Sequence, residues 1–426
     1  MRPPMSATLL RGGAEAFLAR YEGLQDRLPG ERAPREAAAE AFRDAGLPGM
    51  RNEAWKYTSL RPLAEVAFHE PLTSCGETEA VLGRMPRLDA PRLVFVCGRW
   101  RREMSVLPSA ISVDSFARLP EFGDLARPLE QPLVALNTML AEDGARLTVP
   151  AGVDGGTLVL ASLGGEARGR AVAFHPRHRI ELAPGARLAL IEISRGAGAY
   201  FHNPVFEVKL GEGAALTHLR LQEESEQGFH LATLYVEIAA RASYDAFTLS
   251  VGARLARAEI HARLAGPHGA VHLNGAQLLR DMQHADVTTV VAHTAPNCAS
   301  RQTVKNVLAD HARGVFQGRI EVARAAQKTD GYQMNQALLL SPDAEVDSKP
   351  ELEIYADDVK CSHGATVGEL DAEQLFYLRS RGIAEAEARA MLVRAFLAEA
   401  LDPIAHEAGR QCLERAVARW WEREAA

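Results

Sequence analysis

The sequence predicts a mainly β protein: a solenoid of stacked coils held between an N-terminal and a C-terminal helical region. Three observations predict it. From Arg146 to about Gly364 the chain is a succession of short apolar segments, such as 157–160, 188–193, 206–210, 216–221 and 287–291. They are broken by Gly, Pro and Asn, and many are β-branched or alternate with period two, as strands do. Ala186, Ala214, Ala242 and Ala270 recur 28 residues apart, Gly185, Gly213 and Gly269 precede three of them, and Leu188, Leu216 and Tyr244 follow at a fixed offset. The next two registers hold Cys298 and Ala326, also small. A fixed period of this length marks coils that turn at a small residue and stack their apolar side chains on the coil below. Finally, the segments on either side have the caps and periodicity of helices.

Residues 1–90 read as helix and loop. Residues 34–46 make a short helix, with Pro34 in its first turn and Gly46 followed by Pro48 at its end. The segment Glu53–Leu60 (EAWKYTSL) mixes aromatic and charged residues without a period. The strand-rich core spans 91–366, opens at 92–97 (RLVFVC), and is interrupted by a helix at 132–142 ended by Gly144. Residues 367–426 return to helix. Asp371 caps the first, with Gln374 as its reciprocal partner, and Gly382 ends it. Residues 384–401 form the next, with Leu392, Phe396 and Leu397 on one face. Asp402-Pro403 breaks it, and a last helix carries Trp420 and Trp421.

The chain has 426 residues, 47% hydrophobic and 24% charged, with a net charge of −7. This is the composition of a globular protein too long for one ordinary core. There is no basic tract, which argues against nucleic acid as a partner. The apolar runs are too short to cross a membrane, and the N-terminus lacks the apolar stretch of a secretory signal. Five scattered cysteines, Cys75, Cys97, Cys298, Cys361 and Cys412, read as reduced thiols of a cytoplasmic protein.

The chain lacks a GxGxxG, a GxxxxGK[ST], an HExxH and a GxSxG, so a nucleotide fold, a Walker loop, a zincin and a nucleophile elbow are not expected. Asp343, Glu345 and Asp347 alternate like a calcium loop, but Ser348 and Ile354 stand where glycine and glutamate are required. They read as solvent-facing carboxylates on a strand. Fourteen histidines are scattered, mostly singly, and a lone histidine is more often structural than a ligand. Cys361 and His363 differ. Two apart on a strand, they point to one face, and thiolate with imidazole suits iron, zinc or an iron–sulfur cluster. Lys360 would lower the thiol pKa, and Gly364 would allow a close approach or a turn. A buried cysteine beside a structural histidine fits the pattern equally well. Four of the six lysines, Lys305, Lys328, Lys349 and Lys360, gather late in the strand region of an otherwise arginine-using chain.

Residues 341–368 (SPDAEVDSKPELEIYADDVKCSHGATVG) followed by 373–383 (EQLFYLRSRGI) resemble the C-terminal signature of the SufB/SufD family of iron–sulfur cluster assembly scaffolds. The segment 53–60, Ala135–Asn137 through Asp143-Gly144, and 293–308 (HTAPNCASRQTVKNVL) resemble three further family segments. The wording CSHGATVG resembles the SufD branch. The SufB branch has a Cys-Gly-Ala-His segment upstream, where this chain reads NQALLLSP from Asn335 to Pro342. The resemblance implies a right-handed parallel β-helix and a non-enzymatic scaffold acting with SufB and the ATPase SufC. It implies His363, with Cys361 beside it, as ligands to iron or a nascent cluster shared with SufB. It implies docking of SufC on the C-terminal helices, around Leu375, Phe376, Tyr377, Arg381 and Phe396. A flavin is associated with such complexes and finds no place in this sequence.

Two other readings compete. The chain could be a purely structural mate of SufB, or a β-helix enzyme acting on polysaccharides, which would need clustered carboxylates in an open groove. An unpaired end strand also invites a homodimer.

Overall fold

The computed structural model describes residues 5–70, 78–83 and 85–424. Its centre is a parallel β-solenoid of about eight turns. Each coil contributes one strand to a ten-stranded sheet and one to an eleven-stranded sheet. In the first sheet the strands Arg187–Ala197, Ala215–Glu223, Ser243–Ser250, Ala270–Leu279, Ala299–Leu308, Asp330–Leu339 and Lys360–Gly368 follow one another in parallel register. Alternate residues point into the lumen. Leu188, Leu216, Tyr244 and Val271 form one inward column, all nearly inaccessible to solvent. Each such side chain contributes about 1.5–3 kcal/mol by leaving water.

The 28-residue repeat is real but not strict. Ala215 pairs with Ser243, Ser243 with Ala270, Ala270 with Ala299, Ala299 with Asp330 and Asp330 with Lys360, so the coil offset runs 28, 27, 29, 31 and 30. Ala186, Ala214 and Ala242 are buried at equivalent corners. Ala270 is already the first residue of its strand, and Gly269 takes the corner instead. Cys298 returns to the column, and at the next corner Thr329 takes that register, with Ala326 three residues ahead of it in the same turn.

The two ends of the solenoid are unlike. At the start, Arg99–Trp100 and Ser112–Ser115 pair antiparallel with the first coil strands and close both sheets. At the other end, Glu345–Ile354 and Lys360–Gly368 are the outermost strands of their sheets, and among the described residues nothing pairs beyond them.

Helices cover both outer faces. Met5–Leu24, Arg32–Ala45 and Pro132–Leu140 bury Phe17, Phe42 and Leu136 against Phe201, Phe229 and Leu255 of the eleven-stranded sheet. Glu385–Leu401 and Glu407–Glu424 bury Leu397, Leu413 and Trp420 against Ile193, Leu221 and Leu249 of the other. The caps match the sequence: the Asp371 carboxylate accepts from Glu373 N at 2.8 Å and Gln374 N at 3.1 Å, and Gly382 has φ 85°.

The sequence motifs outside the C-terminal signature hold these layers together. Asn137 donates to Pro176 O at 3.0 Å and Asn203 O at 2.9 Å. Asp143 accepts from the backbone N–H groups of Trp100, Gly144 and Ala117 at 2.9, 2.8 and 3.2 Å. Asp143→Ala leaves three donors without an acceptor and is expected to cost about 1–3 kcal/mol, read as a shifted denaturation midpoint with an unchanged m-value. An unchanged midpoint would remove this role.

In the 53–60 segment, Thr58 donates to Asp286 at 2.5 Å, and the Trp55 ring lies 4.1 Å from the Arg257 guanidinium. Lys349 reaches back to Glu53 at 2.6 Å, while Lys305, buried, pairs with Glu399 and sits 4.5 Å over Phe396. Two of the four late lysines therefore tie the helical ends to the solenoid.

Cys298, Cys361 and Cys412 carry free thiols, whereas Cys97 is disulfide-bonded, which corrects the expectation of reduced thiols throughout; Cys75 lies outside the described residues. Asp347 is not solvent-facing as expected but pairs with Arg313 at 2.6 Å.

Candidate functional site

The open end of the solenoid carries the Cys361–His363 pair. Residues 361, 363, 365 and 367 continue the inward columns. Cys361 tops Leu188, Leu216, Tyr244, Val271, Ser300 and Gly331. His363 tops Leu190, His218, Ala246, Leu273, Gln302 and Gln333. Both side chains therefore share a face, as the strand period requires. In any earlier coil this face is sealed by the next one. Here no coil follows among the described residues, and Cys361 is half-buried and His363 exposed.

The Cys361 thiol packs beside Gly331 and the apolar side chains of Ile320 and Leu352. Burial pushes its pKa up, and Asp330 adds to the rise. This corrects the expected effect of Lys360. Alternation puts that lysine on the opposite face, where it acts on Asp330. The thiol is therefore a poor nucleophile. Gly364 is not at a turn. A Cβ there would lie 2.7 Å from Met334 Cε, so the glycine makes room for the methionine of the coil below.

The lumen beneath the pair is polar. Gln302, Gln333 and Asn335 are fully buried, and Gln333 Oε1, Gln302 Nε2 and Asn335 Nδ2 have no hydrogen-bond partner. The coil walls beside them hold Asn306 donating to Asn335 at 2.7 Å and His293 bonded to Ser300 at 2.9 Å. Further in, Glu192 pairs with Arg220 at 2.8 Å and His218 at 3.3 Å.

The open end leads directly to the helix Ala372–Ser380, which has no buried residue. Phe376 and Tyr377 are 74% and 56% exposed, and Arg381 stacks on the Tyr377 ring at 5.1 Å. Leu375 is half-buried on the same helix. Phe396 faces the other way, against Lys305 and the solenoid.

A cleft of about 480 Å³ is lined by Asp124, Glu130, Glu237 and Glu321, and each has a basic partner, in order Lys209, Arg127, Arg263 and Arg319. Among the described residues no helix is long and apolar enough to cross a membrane.

These features define a class by its architecture, a parallel β-solenoid with an open end, a thiol–imidazole pair in that end and an exposed aromatic helix beside it. Comparison with known proteins specifies it. Residues 165–396 match the family described as "SUF system FeS cluster assembly, SufBD core domain", and residues 28–157 match "SufBD protein N-terminal region". The chain is 34% identical over 387 residues to the iron–sulfur cluster assembly protein SufD of Escherichia coli, covering 86% of this chain and 87% of the relative. It is 32% identical over 406 residues to a SufBD family iron–sulfur cluster assembly protein of Synechocystis, covering 89% of each. It is 29% identical over 410 residues to the chloroplastic protein ABCI7 of Arabidopsis thaliana, covering 89% of this chain and 86% of the relative. The chain belongs to the SufBD family of SUF-system iron–sulfur cluster assembly proteins.

Proposed function

We propose that this chain is the SufD-type half of an assembly scaffold whose open solenoid end meets SufB and whose Cys361 and His363 form a half-site that SufB completes. The observation that carries this reading is that both side chains belong to inward columns at the last coil, which no further coil covers among the described residues. Two ligands hold a cluster or iron weakly, so a partner must supply the others. The strands 345–354 and 360–368 offer free backbone edges to that partner, as unpaired edges do. The iron or nascent cluster is cargo handed on, in keeping with the raised thiol pKa, which leaves Cys361 protonated until iron arrives. SufC, the ATPase, docks on the projecting helix through Phe376, Tyr377 and Arg381, with Leu375 beneath. Phe396 supports this from behind by fixing the next helix to Lys305. The chain itself is not an enzyme, it works in the cytoplasm, and any flavin belongs to the assembled complex.

The test is His363→Ala in a complex co-purified with SufB and SufC. Complex mass should be unchanged, and iron and acid-labile sulfide bound after reconstitution should fall about tenfold or more. Unchanged iron and sulfide would leave the chain a purely structural mate. A second reading, a homodimer through the same two edges, applies to the chain alone, and the mass of the isolated protein decides it.

A further inference from the structure

Away from the open end, His202, Glu224 and His230 converge in the wall of the solenoid. His202 and His230 lie one coil apart in register, their rings edge to face with centroids 4.9 Å apart. Glu224 reaches them from the corner after the strand Ala215–Glu223. His202 Nδ1 lies 3.0 Å from Glu224 Oε1, His230 Nδ1 lies 2.8 Å from Glu224 Oε2, and the two imidazole nitrogens are 3.2 Å apart. All three residues are buried. We infer that this triad is a binding site for a divalent first-row transition ion, zinc or ferrous iron, distinct from Cys361 and His363.

Three features carry the inference. The first is the donor spacing. Donors bound at about 2.0–2.1 Å to one ion lie about 3–3.4 Å from each other, which is the spacing of these atoms. Two imidazole nitrogens aimed at one carboxylate this closely are two of the three donors of a two-histidine, one-carboxylate site.

The second is charge. Four other buried carboxylates have an arginine, Glu192 with Arg220, Glu207 with Arg177, and Glu259 and Asp286 sharing Arg257, while Asp143 is held by three backbone N–H groups. Among the described residues Glu224 forms ion pairs with the two histidines alone. A buried carboxylate needs a cation, and a divalent ion supplies it while leaving both imidazoles neutral, the form in which they are ligands.

The third is support and access. His202 stacks on Phe174 at 4.8 Å, and Gln222 donates to Glu224 at 3.2 Å, which fix the ring and the carboxylate. His202 Nε2 is buried without a partner, so no wider hydrogen-bond network accounts for that imidazole. Glu224 also lines a surface cleft of about 410 Å³ with Arg195, Glu223, Ser225 and Glu226, which gives an ion a route in from solvent.

The full chain carrying Cys361→Ser and His363→Ala, stripped with a chelator, is titrated with zinc against a chromogenic competitor and with ferrous iron under anaerobic conditions. One equivalent of at least one ion is expected, with binding about 100-fold or more weaker after Glu224→Gln or His230→Ala, since loss of an outer partner alone costs 10–100-fold. Absence of stoichiometric binding, or binding indifferent to both substitutions, overturns the site. X-ray absorption on the unsubstituted chain loaded with one equivalent of the bound ion needs no folded variant. Two imidazoles and no sulfur in the shell support the triad, and a sulfur-containing shell overturns it.

Discussion

Arg257→Met should cost the protein about 3–5 kcal/mol, the loss typical when one member of a buried ion cluster is removed. Arg257 is almost wholly inaccessible and lies between Asp286 and Glu259, with the nearer Glu259 contact at 3.1 Å. Burial alone would raise the Glu259 carboxyl, but Arg257 and then His261 outweigh it and hold the pKa at about 2. Methionine fills much of the volume but leaves two buried carboxylates without their cation. The same guanidinium lies on Trp55, and Asp286 holds Thr58, so the N-terminal segment should loosen with the cluster. Chemical denaturation measures the cost, and proteolysis near residue 55 measures the loosening. Adding Asp286→Asn and Glu259→Gln should return part of the stability, because it removes the stranded charges. A single variant as stable as the parent would show that the cluster is solvated and the argument wrong.

The second large effect is acid sensitivity at mild pH. Burial holds His175 and His178 at about 3 and His293 at about 4. An unfolded chain takes up these protons near pH 6.5. Between about pH 6.5 and 4 the unfolded state therefore binds more protons, and stability falls as pH falls. The contribution is complete above pH 6.5, and at pH 5 each imidazole has lost about 2 kcal/mol. Glu259 adds a lower window, between its unfolded pKa near 4.5 and about 2. The denaturation midpoint should drop steeply from pH 7 to pH 5. His293→Gln, which keeps a donor toward Ser300, should make the slope shallower by one proton. A flat profile from pH 7 to pH 5 would mean these histidines are protonated in the folded state.

Much of this was legible in the sequence because it is written locally. A small residue at each corner, an inward side chain two places later, an aspartate at a helix start and a glycine at its end are all short-range signals. So was the Cys361–His363 pair, whose shared face follows from strand geometry alone. What spacing could not supply was register. Coil offsets drift from 27 to 31 residues, so only neighbours within the strict early coils could be matched. His202 and His230 sit in that strict region at a separation of 28, which was the available signal for the buried triad. Glu224 gave none, since it enters from a corner. Lys305 and Lys349 stood out as residue types, but their partners Glu399 and Glu53 are 94 and 296 residues distant. The effect of Lys360 on Cys361 was misjudged because adjacency along a strand means opposite faces.

The columns under Cys361 and His363 change character along their length. The Cys361 column is leucine, tyrosine and valine in the early coils and then serine and glycine, and the His363 column is leucine, His218, alanine and leucine and then Gln302 and Gln333, each of which has an orphaned polar atom. Coils in such a stack are held chiefly by their neighbours. The molecule is thus a zipper with one riveted end and one loosely toothed end. Thermal opening enters from the toothed end, and the rungs bearing the thiol and imidazole part long before the apolar coils below them do.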